Sequence, residues 1–250
     1  MTKTYTTAVI ILRGASYGEG NRIYTFYSRD RGKFSAVARG VRKQKSKLKG
    51  HLQLGNCCDL ELIKGKGLDI VSSAAARETF PANREKAEGY FYMSYFLELC
   101  NDFTPEEQAD AAIYDLLRGV LGALATTEPK LLARYYELQL LQHGGFLPDL
   151  SRCSLCGTAL NGGCWNPRYD GLICNHCGSG TGTAVTPKAH FALKYLLNVE
   201  VTLVPRLKVD ADTMALLSGL TRRMIEHSLE KKVRSLTILD QLTLDNKPKI

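Results

Sequence analysis

Apolar residues in the first eighty positions fall into short runs that indicate β-strands. The first run is continuously apolar, as in a buried strand, and the next two alternate apolar and polar residues with period two. Two further runs flank the turn sequence KGKG, which is typical of a hairpin. The five predicted strands are residues 6–12, 22–29, 33–39, 56–63 and 68–74. Five strands in about 75 residues predict a small barrel, either an OB-fold, which commonly binds oligonucleotides, or an SH3-like barrel.

Beyond Pro81 the apolar spacing changes to the helical period. Three helix starts combine a capping residue with proline at the first helical position: Thr104-Pro105, Glu128-Pro129 and Thr186-Pro187. A further long helix opens at Asp210. The predicted helices are residues 84–102, 104–124, 129–143, 187–198 and 211–232.

Together these elements predict an α+β multidomain protein. An N-terminal five-stranded OB-fold barrel occupies residues 1–80, and an α-helical domain follows in two parts, residues 81–150 and 184–250. Residues 151–183 are rich in cysteine and glycine and have little helical pattern, so they are predicted to form a small inserted module.

The cysteines of this module have a metal-binding spacing. The sequences CSLCG and CNHCG form the pattern Cys-x2-Cys-x17-Cys-x2-Cys from Cys153, Cys156, Cys174 and Cys177. Two intervening residues let both thiolates of a pair reach one ion, and four thiolates make the closed tetrahedral shell of structural zinc. One structural Zn²⁺ is therefore predicted, without zinc catalysis, because a closed shell leaves no position for water or substrate. Cys164 and His176 are expected to be bystanders.

Positive charge is concentrated in the first third of the chain. Residues 1–80 contain 15 Lys and Arg against 6 Asp and Glu, whereas the remaining residues contain 18 against 19, for a net charge of +8. The densest stretch, ARGVRKQKSKLKGH, has six cations and no acid, and no acidic residue occurs between Asp30 and Asp59. This distribution indicates a polyanionic partner for the first domain.

The basic stretch lies between two predicted strands, so a scaffold would present it to single- or double-stranded DNA. Lysine and arginine bind phosphate without reading bases, and we therefore expect sequence-independent, salt-dependent binding. The main candidates are Arg39, Arg42, Lys43, Lys45, Lys47 and Lys49, with Arg22 and Lys33 at the edge. Tyr24 and Phe26 share one face of a strand and would stack with bases if that face were exposed. Phe34 is assigned to the core.

Other classes of function are less favoured. No run of about 18 apolar residues exists, so no membrane span is expected. The apolar part of the N-terminus is too short for a signal peptide, which favours the cytosol. Neither HExxH nor a deaminase motif is present.

Two alternatives remain: an Mg²⁺-dependent nuclease with structural zinc, and a zinc-ribbon adapter for proteins. Among the acids of the first third, Glu19 is the first candidate for a catalytic carboxylate. We expect it instead to be a turn residue that pairs with Arg22.

Several stretches resemble the RecO family of bacterial recombination mediators. They are YGEGNRI, DRGKFSAVARGVRK and the GKGLD hairpin, which come after an early strand and are followed in order by the helices and the CxxC pairs. The resemblance is specific over residues 8–75 and at the cysteines, and is architectural elsewhere.

This resemblance implies an OB-fold followed by a helical domain with a zinc module, and no active site. RecO-like proteins bind single- and double-stranded DNA in DNA repair and anneal complementary strands, including strands coated with single-strand binding protein (SSB). With RecR they help load RecA onto SSB-coated DNA. RecR, the SSB C-terminal tail and, indirectly, the RecA filament are thus expected partners, in the bacterial cytoplasm at the nucleoid.

The SSB tail is acidic and ends in apolar residues, so a receptor for it needs an apolar groove rimmed by Lys or Arg. Such a groove is expected between helices, with possible rim residues Arg118, Lys130, Arg134 and Arg223.

Overall fold

A computed structural model describes residues 3–169, 171–178 and 182–235. The chain divides into two compact units: one runs to residue 125 and resumes at residue 233, and the other comprises residues 126–232. In the described ranges, no helix is long and apolar enough to cross a membrane. The compact units separate after residue 125, whereas the sequence pattern places a domain boundary after residue 80. The two boundaries differ because residues 106 and 107, which follow a helix, pair with Lys33 of the barrel.

The first unit contains a closed five-stranded barrel with the order β1-β2-β3-β5-β4. The strands are β1 (Thr4–Tyr17), β2 (Asn21–Ser28), β3 (Gly32–Ala38), β4 (Cys57–Ile63) and β5 (Asp69–Glu78). Neighbouring strands are antiparallel except for β3 and β5, which form a short parallel pair. All five predicted strands are confirmed, and this arrangement favours the OB-fold over the SH3-like alternative.

β1 is longer than predicted because it serves two neighbours. Its first half pairs with β4 and its second half with β2. The register to β2 shifts between Ile11 and Arg13, which is the signature of a β-bulge. Beyond the bulge, β1 and β2 continue as a hairpin whose last pair is Tyr17 opposite Asn21.

The segment between β3 and β4 contains the basic stretch, and a succession of turns holds it against the barrel. Val41 and Leu52 are buried in the barrel core, and Leu48 packs against that core. The backbone N–H of Ala76 in β5 donates to Nδ1 of His51 over 3.2 Å. The basic stretch is therefore attached to the barrel near both of its ends.

Three helices complete the first unit: α1 (Ala82–Glu85), α2 (Ala87–Phe103) and α3 (Ala111–Ala123). The predicted helix start at Thr104-Pro105 is wrong. Thr104 instead ends α2, with its hydroxyl donating to the Cys100 carbonyl over 2.6 Å. The next residues follow β3, where the N–H of Glu107 donates to the carbonyl of Lys33 over 2.8 Å. α3 begins only after Asp110, whose carboxylate accepts from two backbone N–H groups.

The second unit contains α4 (Pro129–His143), α5 (Pro187–Asn198) and α6 (Ala211–Leu229). The helix starts predicted at Glu128, Thr186 and Asp210 are confirmed, and each of these side chains accepts a backbone N–H of its helix. Between α4 and α5 lies a three-stranded sheet in the order β7-β6-β8. Its strands are β6 (Gly163–Asn166), β7 (Gly171–Ile173) and β8 (Thr183–Val185).

Candidate nucleic-acid interface and metal centre

The six cations of the basic stretch are all exposed to solvent. Within the described ranges, none of their side chains forms a salt bridge or a hydrogen bond. They are Arg39, Arg42, Lys43, Lys45, Lys47 and Lys49. Because no acid in the described part of the chain neutralises them, these groups are available to external anions.

Several other cations of the first unit face acids. The pairs are Arg29–Asp115, Arg31–Asp69, Lys64–Asp69, Arg77–Asp59 and Arg118–Glu78. The charge surplus of the first eighty residues is therefore focused on the basic stretch. This contrast could not be read from the sequence, because, except for Lys64 and Asp69, the paired residues are distant along the chain.

Two cations predicted at the edge of the interface are placed differently. The Nζ of Lys33 donates to the carbonyl of Asn101 over 2.7 Å and lies 3.7 Å from Glu106, with its side chain only 12% exposed. Lys33 therefore ties β3 to the end of α2, and its predicted role in DNA binding is corrected. Arg22 is half-buried, and its buried Nε has no hydrogen-bond partner among the described residues.

The prediction that bases stack on Tyr24 and Phe26 is wrong, because both rings belong to the barrel core. Tyr24 is 3% exposed and Phe26 is fully buried. Their ring centroids lie 5.9 Å apart, and Phe34, correctly assigned to the core, lies 5.4 Å from Phe26. Alternation put these side chains on one face, but only closure of the barrel decided that this face is the interior.

An exposed aromatic ring that was not predicted lies on the hairpin that is hydrogen-bonded to the start of the basic stretch. Tyr17, at the end of β1, is 54% exposed. It directly precedes the turn at Gly18–Gly20, which lines a hollow of about 620 Å³ together with Arg39, Arg42 and Lys43. The one signal in the sequence is an aromatic residue next to a glycine-rich turn.

The four predicted cysteine ligands meet in the second unit. Their sulfur atoms all lie within 4.8 Å of one another, and those of Cys156 and Cys174 are 3.8 Å apart. A tetrahedral zinc with Zn–S bonds of about 2.3 Å requires sulfur separations of about 3.8 Å. The cluster therefore fits the predicted metal set, and Cys164 and His176 lie outside it.

Local backbone geometry positions the sulfurs. Gly157 after the first pair has φ +72, which favours glycine, and its N–H donates to the Cys153 carbonyl over 2.9 Å. The corresponding N–H of Gly178 donates to the Cys174 carbonyl, also over 2.9 Å. The two CxxC turns thus have the same backbone bond.

Backbone donors also act on the thiols. Burial opposes ionisation of Cys153, but N–H groups including that of Cys174, 3.3 Å from its sulfur, lower the pKa of Cys153 to about 6. Hydrogen bonding to Cys156 and Cys174 raises the pKa of Cys177 to about 12. The Cys153 thiol therefore loses its proton readily, whereas these hydrogen bonds, together with repulsion from the neighbouring thiolates, keep Cys177 protonated. A bound dication would remove this repulsion.

A second surface feature is an aromatic groove on α5. Phe191 is 64% exposed, and its ring lies 6.3 Å from that of Tyr195. Together with Leu160 and the exposed Lys194, these residues line a hollow of about 460 Å³. Three of the predicted rim cations are engaged elsewhere: Arg118 with Glu78, the buried Arg134 with Glu137, and Arg223 with Thr183.

Comparison with known proteins gives the same family for both parts of the chain. Residues 1–80 match the model described as Recombination protein O N terminal, and residues 84–237 match Recombination protein O C terminal. A protein of Dehalococcoides mccartyi named DNA repair protein RecO is 33% identical, covering 98% of this chain and all of its own. A protein of the same name from Pelotomaculum thermopropionicum is 34% identical, covering 96% of this chain and 94% of its own. With this coverage, added to the barrel and the cysteine cluster, the chain belongs to the RecO family.

Proposed function

We propose that this protein is a non-enzymatic DNA-binding mediator of DNA repair. Its barrel domain, residues 1–80, binds single- and double-stranded DNA and promotes annealing of complementary strands. The observation that supports this most directly is the group of six exposed cations without an anionic partner in the described structure. Membership in a family whose relatives are named DNA repair protein supports the repair role.

Annealing requires no bond chemistry, because it needs only two polyanions held close while their bases search for register. Cations on a set of turns lower the repulsion between phosphates. Contacts to phosphate alone do not read sequence, so strands can slide until they pair. A basic surface without base-specific contacts is suited to this task.

The distribution of acids favours this function over a metal-dependent nuclease. Asp59, Asp69 and Glu78 face cations, and Asp30 accepts from Ser28 over 2.5 Å. A nuclease needs clustered carboxylates to hold Mg²⁺, and among the described residues the only cluster of three or more potential metal ligands is the cysteine set. Glu19 forms no salt bridge with Arg22 in the described structure. Cleavage of DNA by the purified protein with Mg²⁺ or Mn²⁺ would contradict the proposal.

The direct test is annealing of complementary oligonucleotides that are already coated with SSB. We expect the wild-type protein to anneal them and a variant with Gln at all six positions of the basic stretch to fail. A variant with Gln at Arg29, Lys64, Arg77 and Arg118, whose cations are paired, serves as the control and is expected to anneal. If the six-site variant annealed as fast as the wild type, the basic stretch would not be the DNA-handling surface.

The cysteine cluster is proposed to hold one structural Zn²⁺ through Cys153, Cys156, Cys174 and Cys177. The ion would stabilise a segment with few apolar side chains, and its closed thiolate shell offers no position for substrate. Metal analysis of the purified protein should give one zinc per chain. Retention of the metal after replacement of Cys174 by Ser would argue against this ligand set.

Contact with SSB is proposed to occur at the groove of Phe191 and Tyr195. An acidic tail with apolar final residues matches the exposed ring of Phe191 and the half-buried ring of Tyr195 beside Lys194. A fluorescent tail peptide should bind the wild type, and F191A and K194E should weaken binding about tenfold, since apolar and charge contacts contribute roughly 1–2 kcal/mol each. Y169A, which removes another exposed ring, is the control. If F191A bound the tail peptide as tightly as the wild type, the tail would bind at a different surface.

The roles with RecR and RecA are proposed from family membership. We expect RecA to assemble on SSB-coated DNA only when both this protein and its cognate RecR are present. Loading that is equally fast without this protein would contradict the mediator role, while leaving the annealing proposal intact.

A further inference from the structure

The β-bulge in β1 determines which residues of the following hairpin face outward. Beyond it, Tyr17 lies opposite Asn21 and Ser16 lies opposite Arg22. Arg22 shares the inward face of β2 with Tyr24, because the two residues are two positions apart on a strand. Tyr17 therefore shares the outer face with Asn21, and its ring is solvent-exposed.

Asn21 connects this outer face to the basic stretch. Its Oδ1 accepts the backbone N–H of Gly40 over 2.9 Å, and the carbonyl of Gly20 accepts the N–H of Arg42 over 3.2 Å. The hairpin turn and the start of the basic stretch thus form one hydrogen-bonded corner of the barrel. The hollow in this corner is lined by Glu19 on the turn and by Arg39, Arg42 and Lys43 on the basic stretch.

An aromatic ring and cations at one corner suit a nucleotide with an unpaired base. The cations bind phosphate, whereas the ring offers a flat apolar surface on which a base can stack. No ring stacking or cation–π contact of Tyr17 occurs within the described ranges. A base in a duplex is already stacked on its neighbours and is not accessible to this ring.

We infer that this corner is a subsite for single-stranded nucleic acid, in which Tyr17 stacks on a base while Arg39, Arg42 and Lys43 hold the adjoining phosphates. The inference rests on the proposed DNA-binding function and deepens it, because it assigns preference for single strands to one residue. The cations contribute to the binding of any DNA, and Tyr17 contributes only where bases are unpaired.

The test measures binding of Y17A, Y17F and wild type to three ligands of equal length: a thymidine oligonucleotide, the same backbone without bases, and a duplex. We expect Y17A to bind the thymidine oligonucleotide about tenfold more weakly, in the range of base–aromatic stacking. Its binding to the baseless strand and to the duplex should match that of the wild type. Y17F, which keeps the ring, and Y90A, which removes another exposed tyrosine of the first unit, should both bind like the wild type.

A spectroscopic readout does not depend on the loss of affinity. The chain has one tryptophan, Trp165, which is buried. In Y17W, emission from the new indole should be quenched by the thymidine oligonucleotide and not by the baseless strand. Tight binding of the thymidine strand by Y17A, or equal weakening of all three ligands, would overturn the inference. If the wild type bound none of the ligands, the DNA-binding function itself would be wrong.

Discussion

The barrel and the cysteine segment, residues 151–178, are each stabilised internally, but by different interactions. The barrel encloses thirteen buried side chains, including Val9, Tyr24 and Leu60. Among the described residues of the cysteine segment, the buried cluster around the ligands is small and consists of Cys153, Cys164 and Ile173. A large apolar core can support a loop of repelling charges, because exposed like charges cost only about 1 kcal/mol at 4 Å in water. A segment with so small a core requires another stabiliser, and four convergent sulfurs supply the site for one.

The largest expected effect is loss of the metal. C174S, or treatment of the wild type with a chelator, should unfold the cysteine segment, since structural zinc sites contribute about 10–16 kcal/mol of binding free energy at neutral pH. Hydrogen exchange should show lost protection in β6 and β7 and unchanged protection in β1 to β4. C164A is the matched control and should keep the metal, because Cys164 is outside the ligand cluster. Loss of protection in the barrel as well would show that the two regions are not independent.

The second effect concerns DNA binding rather than stability. Replacing the six cations of the basic stretch by Gln should reduce single-strand affinity at low salt by about two to three orders of magnitude. The slope of log K against log salt should fall in magnitude by about 3.5, if five cations each neutralise one phosphate.

The melting temperature of this variant should stay within about 2 °C of wild type, since exposed side chains without partners contribute little to folding. The control is the four-site variant of paired cations, whose slope should change by less than about 1. Equal slopes in the two variants would mean that the focused charge is not what binds DNA.

The third effect tests the connection between the barrel and the segment after α2. Gly32 has φ +71, and a Cβ there would collide with the Gln108 carbonyl. G32A should therefore reduce the free energy of unfolding by about 2–3 kcal/mol, measured by urea denaturation. G50A is the control, because a Cβ at Gly50 meets nothing and its φ is not positive; its effect should be below about 0.5 kcal/mol. If G32A unfolded with the same free energy as the wild type, the backbone at Gln108 would be able to move away from the added Cβ without loss of stability.

The smallest effect is a pH dependence of barrel stability. Burial acts against the ionised form of Asp69, but hydrogen bonds from Tyr5, the Gly65 N–H and Lys64 keep the pKa of this carboxyl below its usual value. A lowered folded-state pKa adds stability above the unfolded pKa of about 3.9, and this stability is lost as the pH falls through the folded-state pKa.

D69N should therefore be less stable at neutral pH by about 2 kcal/mol and should lose less stability than the wild type on acidification below about pH 4. Denaturation series at several pH values measure both changes. Parallel acid profiles for D69N and wild type would assign the acid sensitivity to other carboxyls, such as Asp30, whose pKa is also lowered.

Most of the fold could be predicted because its signals are local. Periodicity located the five strands, and side-chain caps located α4, α5 and α6. The start of α3 was missed since Thr104-Pro105 has the local features of a helix start, and only pairing of the next residues with β3 overrides them. For the candidate site, the charge run and the cysteine spacing were sufficient to find its main residues. The pairing of Lys33 and the exposure of Tyr17 were not predictable from them.

The sequence by itself determined the strand and helix periods, the position of the charge surplus and the metal-ligand spacing, because each depends on residues that are neighbours along the chain. Only the tertiary structure decided which face of β2 is interior, which cations are neutralised and which aromatic ring remains exposed. Those properties depend on strand register, on a bulge and on closure of the barrel, which bring distant residues together. Tyr24 and Tyr17 illustrate this difference, since both are tyrosines on neighbouring strands. Closure of the barrel buries Tyr24 and leaves Tyr17 exposed to solvent.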